Sequence, residues 1–274
     1  NMVTKKPLTQ TQGRISVGGG SFETWRTTLD LTGPLDKNKT ILYRLNMGYE
    51  YAMTFRDNNR RKNYMIAPYF TIKPLAGTQL YIDLIYDSFD GYLDRGMGIK
   101  RSNRQALSRS FSVGQPSDYF KTNTMTLSAR LAQQLAQNLE LNLSYMGAVY
   151  EEDLNEHRTL NSFANPENTI MNMRFMQRKA KDFTQNLVAY LQWNTKKESW
   201  KNALTLGFDY GEYKGAKDNQ QKEARQKIVN GESVPITFDL DHPQYQNQDI
   251  NSYVWRAQAP FPFLSPNSTR GVYL

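Results

Sequence analysis

The sequence predicts an all-β chain, an antiparallel transmembrane β-barrel fragment with short periplasmic turns and long extracellular loops. Long segments alternate apolar and polar residues, and the connections between them alternate short and long. No run reaches the ~18 apolar residues of a transmembrane helix, whereas a tilted strand needs only ~9–11 residues to cross. Mean hydropathy is −0.70. That does not exclude a membrane barrel, because only alternate residues face lipid.

The clearest segment is 41–55. Ile41, Tyr43, Leu45, Met47, Tyr49, Tyr51, Met53 and Phe55 share one face, opposite mostly polar or small residues. Period-two alternation sends successive side chains to opposite faces of a strand. Soluble strands average ~5–6 residues, so this length points to lipid on one side and a polar lumen on the other.

The other strands follow in order. A short one carries Ile15 and Val17, and Gly18-Gly19-Gly20 after it reads as a hairpin tip. Trp25, Thr27, Leu29 and Leu31 face one way. Tyr64, Ile66, Pro68, Phe70 and Ile72 share a face, with Pro68 a bulge or local break because it lacks an amide donor. Leu80–Tyr86, Met125–Leu131, Leu139–Tyr145, Phe183–Trp193 and Leu204–Tyr210 alternate likewise. Around 127–139 helix formers compete, but the flanking alternation favours a hairpin turning at Ala136-Gln137-Asn138. Short connections fall at 33–38, 74–77, 136–138 and 194–197; long polar ones run roughly 90–121, 151–181 and 214–270. Placing every long loop at one end fits an outer-membrane barrel.

Aromatic content is 12%, with 17 Tyr and 13 Phe, which suits strands and interfacial girdles. There is no Cys, which excludes disulfides and thiolate metal sites. The two histidines, His157 and His242, form no pair at metal or triad spacing and are expected outside strands. The net charge of +8 is spread over the expected loops. The opening Asn1-Met2-Val3-Thr4-Lys5-Lys6-Pro7 has no apolar core of a signal peptide. The chain therefore reads as a fragment cut at both ends.

That opening segment resembles the last strand of the plug domain of TonB-dependent outer-membrane receptors. Ser21–Arg26 with Leu29–Leu35 resembles the family's first barrel hairpin, and Tyr43–Asn46 with Thr54–Asp57 its third strand and following loop. Ile66-Ala67-Pro68 is similar to the fourth strand, Asp94-Arg95-Gly96 to the start of the third outer loop, Leu206–Tyr210 to the ninth strand and Gly271–Leu274 to the opening of the tenth. The order and spacing carry the resemblance, which is closest to siderophore receptors of the ferrichrome-receptor type. It implies about nine or ten strands of a 22-stranded, plugged barrel. Residues 1–10 would be the C-terminal end of the plug domain and 11–274 the N-terminal part of the barrel. It further implies TonB-dependent uptake of ferric siderophores across the outer membrane of a Gram-negative bacterium, with no catalytic residues and no resident cofactor. The partners implied are a ferric siderophore as cargo, the TonB complex through the missing N-terminal region, and outer-membrane lipid and lipopolysaccharide. Nucleic acid is not among them, and the complete protein would be a monomer.

Several side chains stand out as candidates for that function. Lys100, Arg101, Arg104 and Arg109, flanked by Tyr92 and Tyr119, could attract an anionic ligand or contact lipopolysaccharide phosphates. Arg60-Arg61-Lys62 suits lipopolysaccharide contact. Met171, Met173 and Met176 could touch an apolar ligand or pack a folded loop. Asp239, Asp241 and His242 read as a metal set or a solvated loop, and Glu151-Glu152-Asp153 as a calcium site or a solvated strand end. Asp83, Asp87 and Glu140 are placed on a wet lumen wall, and Trp25, Trp193 and Trp200 in girdles. Alternative functions are a receptor for cobalamin or an oligosaccharide, a passive porin-like barrel, an outer-membrane enzyme, or a soluble adhesive protein.

Overall fold

The computed structural model describes residues 4–96, 99–103, 105–197, 200–256 and 265–274. Ten strands form a curved antiparallel meander: β1 (Gln12–Gly20), β2 (Thr24–Pro34), β3 (Ile41–Met53), β4 (Arg60–Ile72), β5 (Thr78–Gly91), β6 (Tyr119–Ala136), β7 (Leu139–Phe163), β8 (Ile170–Lys197), β9 (Trp200–Gly215) and, at the far edge, β14 (Asn267–Tyr273). Between β9 and β14 lie β10 (Gln220–Val229), β11 (Glu232–Pro235), β12 (Thr237–Asp239) and β13 (Tyr253–Trp255). The fragment does not close: β1 and β14 are the two edges of the meander.

The register puts the apolar residues together on one face. Leu29 pairs with Met47, Tyr43 with Phe70, Leu84 with Leu127, Leu141 with Leu191, and Leu191 with Leu206. Trp25, Tyr49, Leu127, Leu187 and Leu206 stay exposed there, as lipid-facing residues must. The opposite parity carries Asp30 beside Arg44 and Tyr81 beside Arg130. That parity forms the lumen wall, and Asp83, Asp87 and Glu140 belong to it as expected.

Residues 4–10 run along this inner wall. Lys5 pairs with Asp30 at 2.9 Å, and Arg44 grips the same carboxylate at 2.7 and 2.8 Å. Arg44 also donates to the Lys6 carbonyl, and the Leu8 amide donates to Thr32 Oγ1, each at 2.9 Å.

The periplasmic turns are short, as expected. In the first, Asp36 accepts from the amides of Ile41 (2.7 Å) and Thr40 (3.1 Å), and these bonds hold its carboxyl below the usual range. The turn expected at 194–197 is not found there: those residues are strand, with Lys197 opposite Trp200. Gly18-Gly19-Gly20 is not a hairpin tip. It pairs with Thr24–Arg26, and the reversal is Ser21-Phe22-Glu23, where Phe22 and Glu23 have φ of 58° and 55°. Pro68 makes a local break rather than a bulge, as one of the two expectations had it: β4 and β5 keep one register from Ile66–Tyr86 to Tyr69–Asp83, and the pairs between are lost.

The largest difference lies at 151–181, which is not a loop. β7 and β8 continue together past the lipid-facing band to a reversal at 164–169. The apolar parity of the lower half gives way to charged pairs such as Glu151–Lys181 and Asp153–Lys179. A strand extended into water shows no hydrophobic alternation, so the pattern that marks its lower half vanishes above. The described residues of the stretch 214–256 are likewise structured, and residues 257–264 lie outside the described residues. β9 ends against Asp182, a short offset follows, and β10 carries on along the same edge of β8, from Gln220–Lys179 to Ala224–Phe175. The β10–β11 hairpin turns at Asn230-Gly231, both at positive φ (52° and 84°), as a two-residue turn between strands requires.

Candidate functional site

The outer ends of β7, β8 and β10 make a tall wall above the barrel. Its outer face is covered by two loops, 92–118 and 236–256. They share a core of Val113, Met171, Met173, Phe175, Ala224, Ile236, Phe238, Leu240 and Tyr253. Met171, Met173 and Met176 are buried, so the packing reading of these methionines holds.

At the centre of this core is a polar chain. His157 Nδ1 meets Asp118 Oδ1, and its Nε2 meets the Tyr253 hydroxyl, both at 2.6 Å. Asp118 Oδ2 also accepts from the amides of His157 and Gln115. All three side chains are buried, and Phe175 lies against the imidazole with ring centres 4.7 Å apart. Burial pushes the Tyr253 phenol well up, with Asp118 and Asp249 adding to the shift. One residue from each loop is thus tied to β7. His157 sits inside β7, contrary to the expectation that neither histidine lies in a strand.

The loops are also tied by charge. Arg56 reaches from the β3–β4 connection to Asp94 (3.0 Å) and to the carbonyls of Arg109 and Phe111. Lys100 and Arg101 both bind Asp241, and the Lys100 contact chiefly holds that carboxyl below its ordinary range. Lys100 and Arg101 are therefore already paired within the cap, and the metal reading of Asp239, Asp241 and His242 has no support. Asp239 instead accepts from the amides of Asp241 and His242. Among the described residues no cluster of metal-ligating side chains occurs. Glu151 and Asp153 pair outward with lysines, while Glu152 points inward to Arg178. Tyr92 donates to the Pro116 carbonyl and Tyr119 to Asp153. Arg104 lies outside the described residues. Arg61 pairs with Glu50 at 2.9 Å on the inner parity, leaving Arg60 and Lys62 on the outer parity.

The inner face of the wall carries a concentration of arginine that the sequence reading passed over. Its ion pairs join Arg95 and Arg158 to Glu156, Arg178 to Glu152, and Arg174, Arg225 and Arg256 to Glu223. The three carboxylates lie deep, while the guanidinium groups stand partly exposed in front of them. Burial opposes ionisation of Glu223, but its arginines outweigh that and lower its pKa. Arg95, Glu152, Arg158 and Arg178 line one cleft together with Leu93, Phe120 and Leu154. The available signal was parity. Arg158, Arg174 and Arg178 continue the even-numbered series that lower down holds the lumen residues Ser144, Asn186 and Val188. A planar guanidinium suits carboxylate and phosphate oxygens.

No protein-family model matches the chain. Over 145 residues it is 32% identical to a metal-pseudopaline receptor of Pseudomonas aeruginosa, an alignment covering 53% of this chain and 20% of that protein. Over 144 residues it is 29% identical to the ferripyoverdine receptor of the same species, covering 50% and 17%. The chain thus matches about a fifth of the length of these curated relatives. In structure it superposes on the ferripyoverdine receptor of the P. aeruginosa outer membrane with a TM-score of 0.77, at 18% identity, over 98% of this chain and 34% of that one. Sequence similarity and fold agree with the resemblance read from the motifs: the chain has the fold of part of an outer-membrane receptor barrel.

Proposed function

We propose that the complete protein takes up ferric siderophores across the outer membrane in a TonB-dependent manner. In this reading residues 1–10 end the plug and residues 11–274 begin the barrel. The observation that carries it is the seating of residues 4–10 against the lumen wall by Lys5–Asp30, Arg44–Lys6 and Leu8–Thr32. A segment held there is what the end of a plug requires. The arginine-rich inner wall supports an anionic cargo, and the relatives' names support an iron or metal chelate as that cargo. No bond is made or broken in such transport, so the protein needs neither a catalytic residue nor a resident cofactor. The further partners are the TonB complex, acting through the plug, and outer-leaflet lipopolysaccharide near Arg60 and Lys62. The complete barrel acts as a monomer.

The test is uptake of radioactive iron chelates by cells that express the full-length protein as their sole receptor, with and without TonB. Accumulation only with TonB supports the reading. Equal accumulation in both strains, as through a porin, would overturn it.

A further inference from the structure

Arg158 of β7 stands directly opposite Arg174 of β8. Both belong to the inner-facing parity, and directly opposed like charges on an antiparallel pair are destabilising. Burial lowers the Arg158 pKa, Glu156 opposes this, and Arg174 and Arg95 lower it further.

The neighbouring acids only half answer these charges. Glu156 Oε2 lies 3.6 Å from Arg158 Nε, and Glu223 Oε2 lies 3.7 Å from Arg174 Nη1. Both exceed good hydrogen-bond length. The Nε atoms of Arg158 and Arg174 are buried without a hydrogen-bond partner, as is Glu156 Oε2. Glu156 instead gives its other oxygen to Arg95 at 2.8 Å. Among the described residues six arginines thus share three glutamates on this wall, and two of the six, Arg158 and Arg174, face each other. A buried N–H without an acceptor costs about 1–3 kcal/mol. The rest of each guanidinium is partly exposed on the inner face, where an arriving group can supply an acceptor.

We propose that Arg158 and Arg174 form a two-guanidinium clamp for carboxylate groups on the transported chelate, with Arg95 and Arg178 beside it. This rests on the uptake reading and narrows it. The cargo is a chelate that keeps free or peripheral carboxylates, because a neutral chelate would leave the clamp unsatisfied. Guanidinium pairs carboxylate through two parallel N–H donors, a geometry that an ammonium cannot reproduce.

The test uses the full-length receptor in detergent, with ferric citrate as a polycarboxylate chelate and ferric tris(acetohydroxamate) as a neutral one. Binding is read by titration calorimetry for the natural protein, Arg158→Gln, Arg174→Gln, Arg158→Lys and the outward control Lys181→Gln. Ferric citrate should bind, and each Gln variant should weaken it tenfold or more. Arg158→Lys should restore only part of the loss, and Lys181→Gln should change nothing. The hydroxamate chelate should bind weakly and without regard to either arginine.

A second readout separates a clamp from a purely structural pair. Removing one of two opposed charges should raise the melting temperature of the ligand-free protein, whereas loss of a structural arginine lowers it. Citrate binding unchanged in both Gln variants, no citrate binding, stronger binding of the hydroxamate chelate, equal competition by inorganic phosphate, or a fall in melting temperature in both would each overturn the proposal. TonB-independent uptake with intact, arginine-dependent binding would sink the transport reading and leave the clamp standing.

Discussion

His157 and Tyr253 meet ring nitrogen to hydroxyl at 2.6 Å, although 96 residues separate them. With Asp118 on the other ring nitrogen, this contact fastens both long loops to the outer face of β7. A buried hydrogen bond of this kind locates a loop in a way that apolar packing alone does not, because only one register satisfies all three groups.

Tyr253→Phe should therefore loosen the cap without unfolding the barrel. The change keeps the ring against Phe175 and leaves one imidazole nitrogen without its partner, a cost of about 1–3 kcal/mol. Hydrogen exchange should quicken across 236–256 and 92–118 and stay unchanged in β2–β5. Unaltered exchange in both loops would mean that the apolar core alone holds them.

The junction of Lys100 and Arg101 with Asp241 gives a pH dependence of known sign. The folded pKa of Asp241 is depressed, chiefly by Lys100, so its contribution is fully present above the ordinary carboxylate value and is lost as pH falls through the lowered one. Protection of residues 100–103 against exchange should hold from neutral pH down to the ordinary carboxylate range and drop below it. Asp241→Asn should remove that step and leave protection low throughout. A step that survives the substitution would place its cause in another carboxylate.

Asp30 links the segment at 4–10 to the barrel through Lys5 and shares its carboxylate with Arg44. Asp30→Asn should free Lys5 and weaken the hold on the segment, while Arg44 keeps its bond to the Lys6 carbonyl. A spin label at Leu8, in the full-length protein, should show a more mobile spectrum in the variant. No change would mean that the amide bond from Leu8 to Thr32 is sufficient by itself.

What was legible in the sequence is what lipid enforces. Leu29, Leu45, Leu84, Leu127, Leu143 and Leu191 sit on the face that alternation gave them, since a polar residue there would be expelled from the bilayer. Above the band that pressure ends. Glu151, Asp153, Lys179 and Lys181 are charged on the outer parity, just as loop residues would be, so the strands there were read as loop. The arginine wall was hidden for the same reason: Arg158 and Arg174 gain meaning only from being opposite each other. The basic run at Lys100 and Arg101 was visible, but its counter-charge, Asp241, lies 140 residues along the chain from Arg101 and could not be read beside it. Pro68 was legible as a local break because it lacks a donor, and the β4–β5 ladder is interrupted there while the β3–β4 ladder holds the register across the gap.

Leu143 and Ser144 are adjacent on β7 and face opposite sides, which allows a direct test of the membrane assignment. Leu143 is cross-strand to Leu131 and Ala189 and partly exposed on the apolar face, whereas Ser144 lines the lumen cavity. Leu143→Arg places a charge among lipid tails, at a cost of about 2–4 kcal/mol near the bilayer midplane. Ser144→Arg places the same side chain on the polar lumen face, away from the lipid tails. When the full-length protein is refolded into phosphatidylcholine vesicles, the first variant should unfold at a lower denaturant concentration and the second should stay close to the parent. Equal destabilisation would argue that both faces are packed against protein, and the reading of the outer face as lipid-exposed would fall.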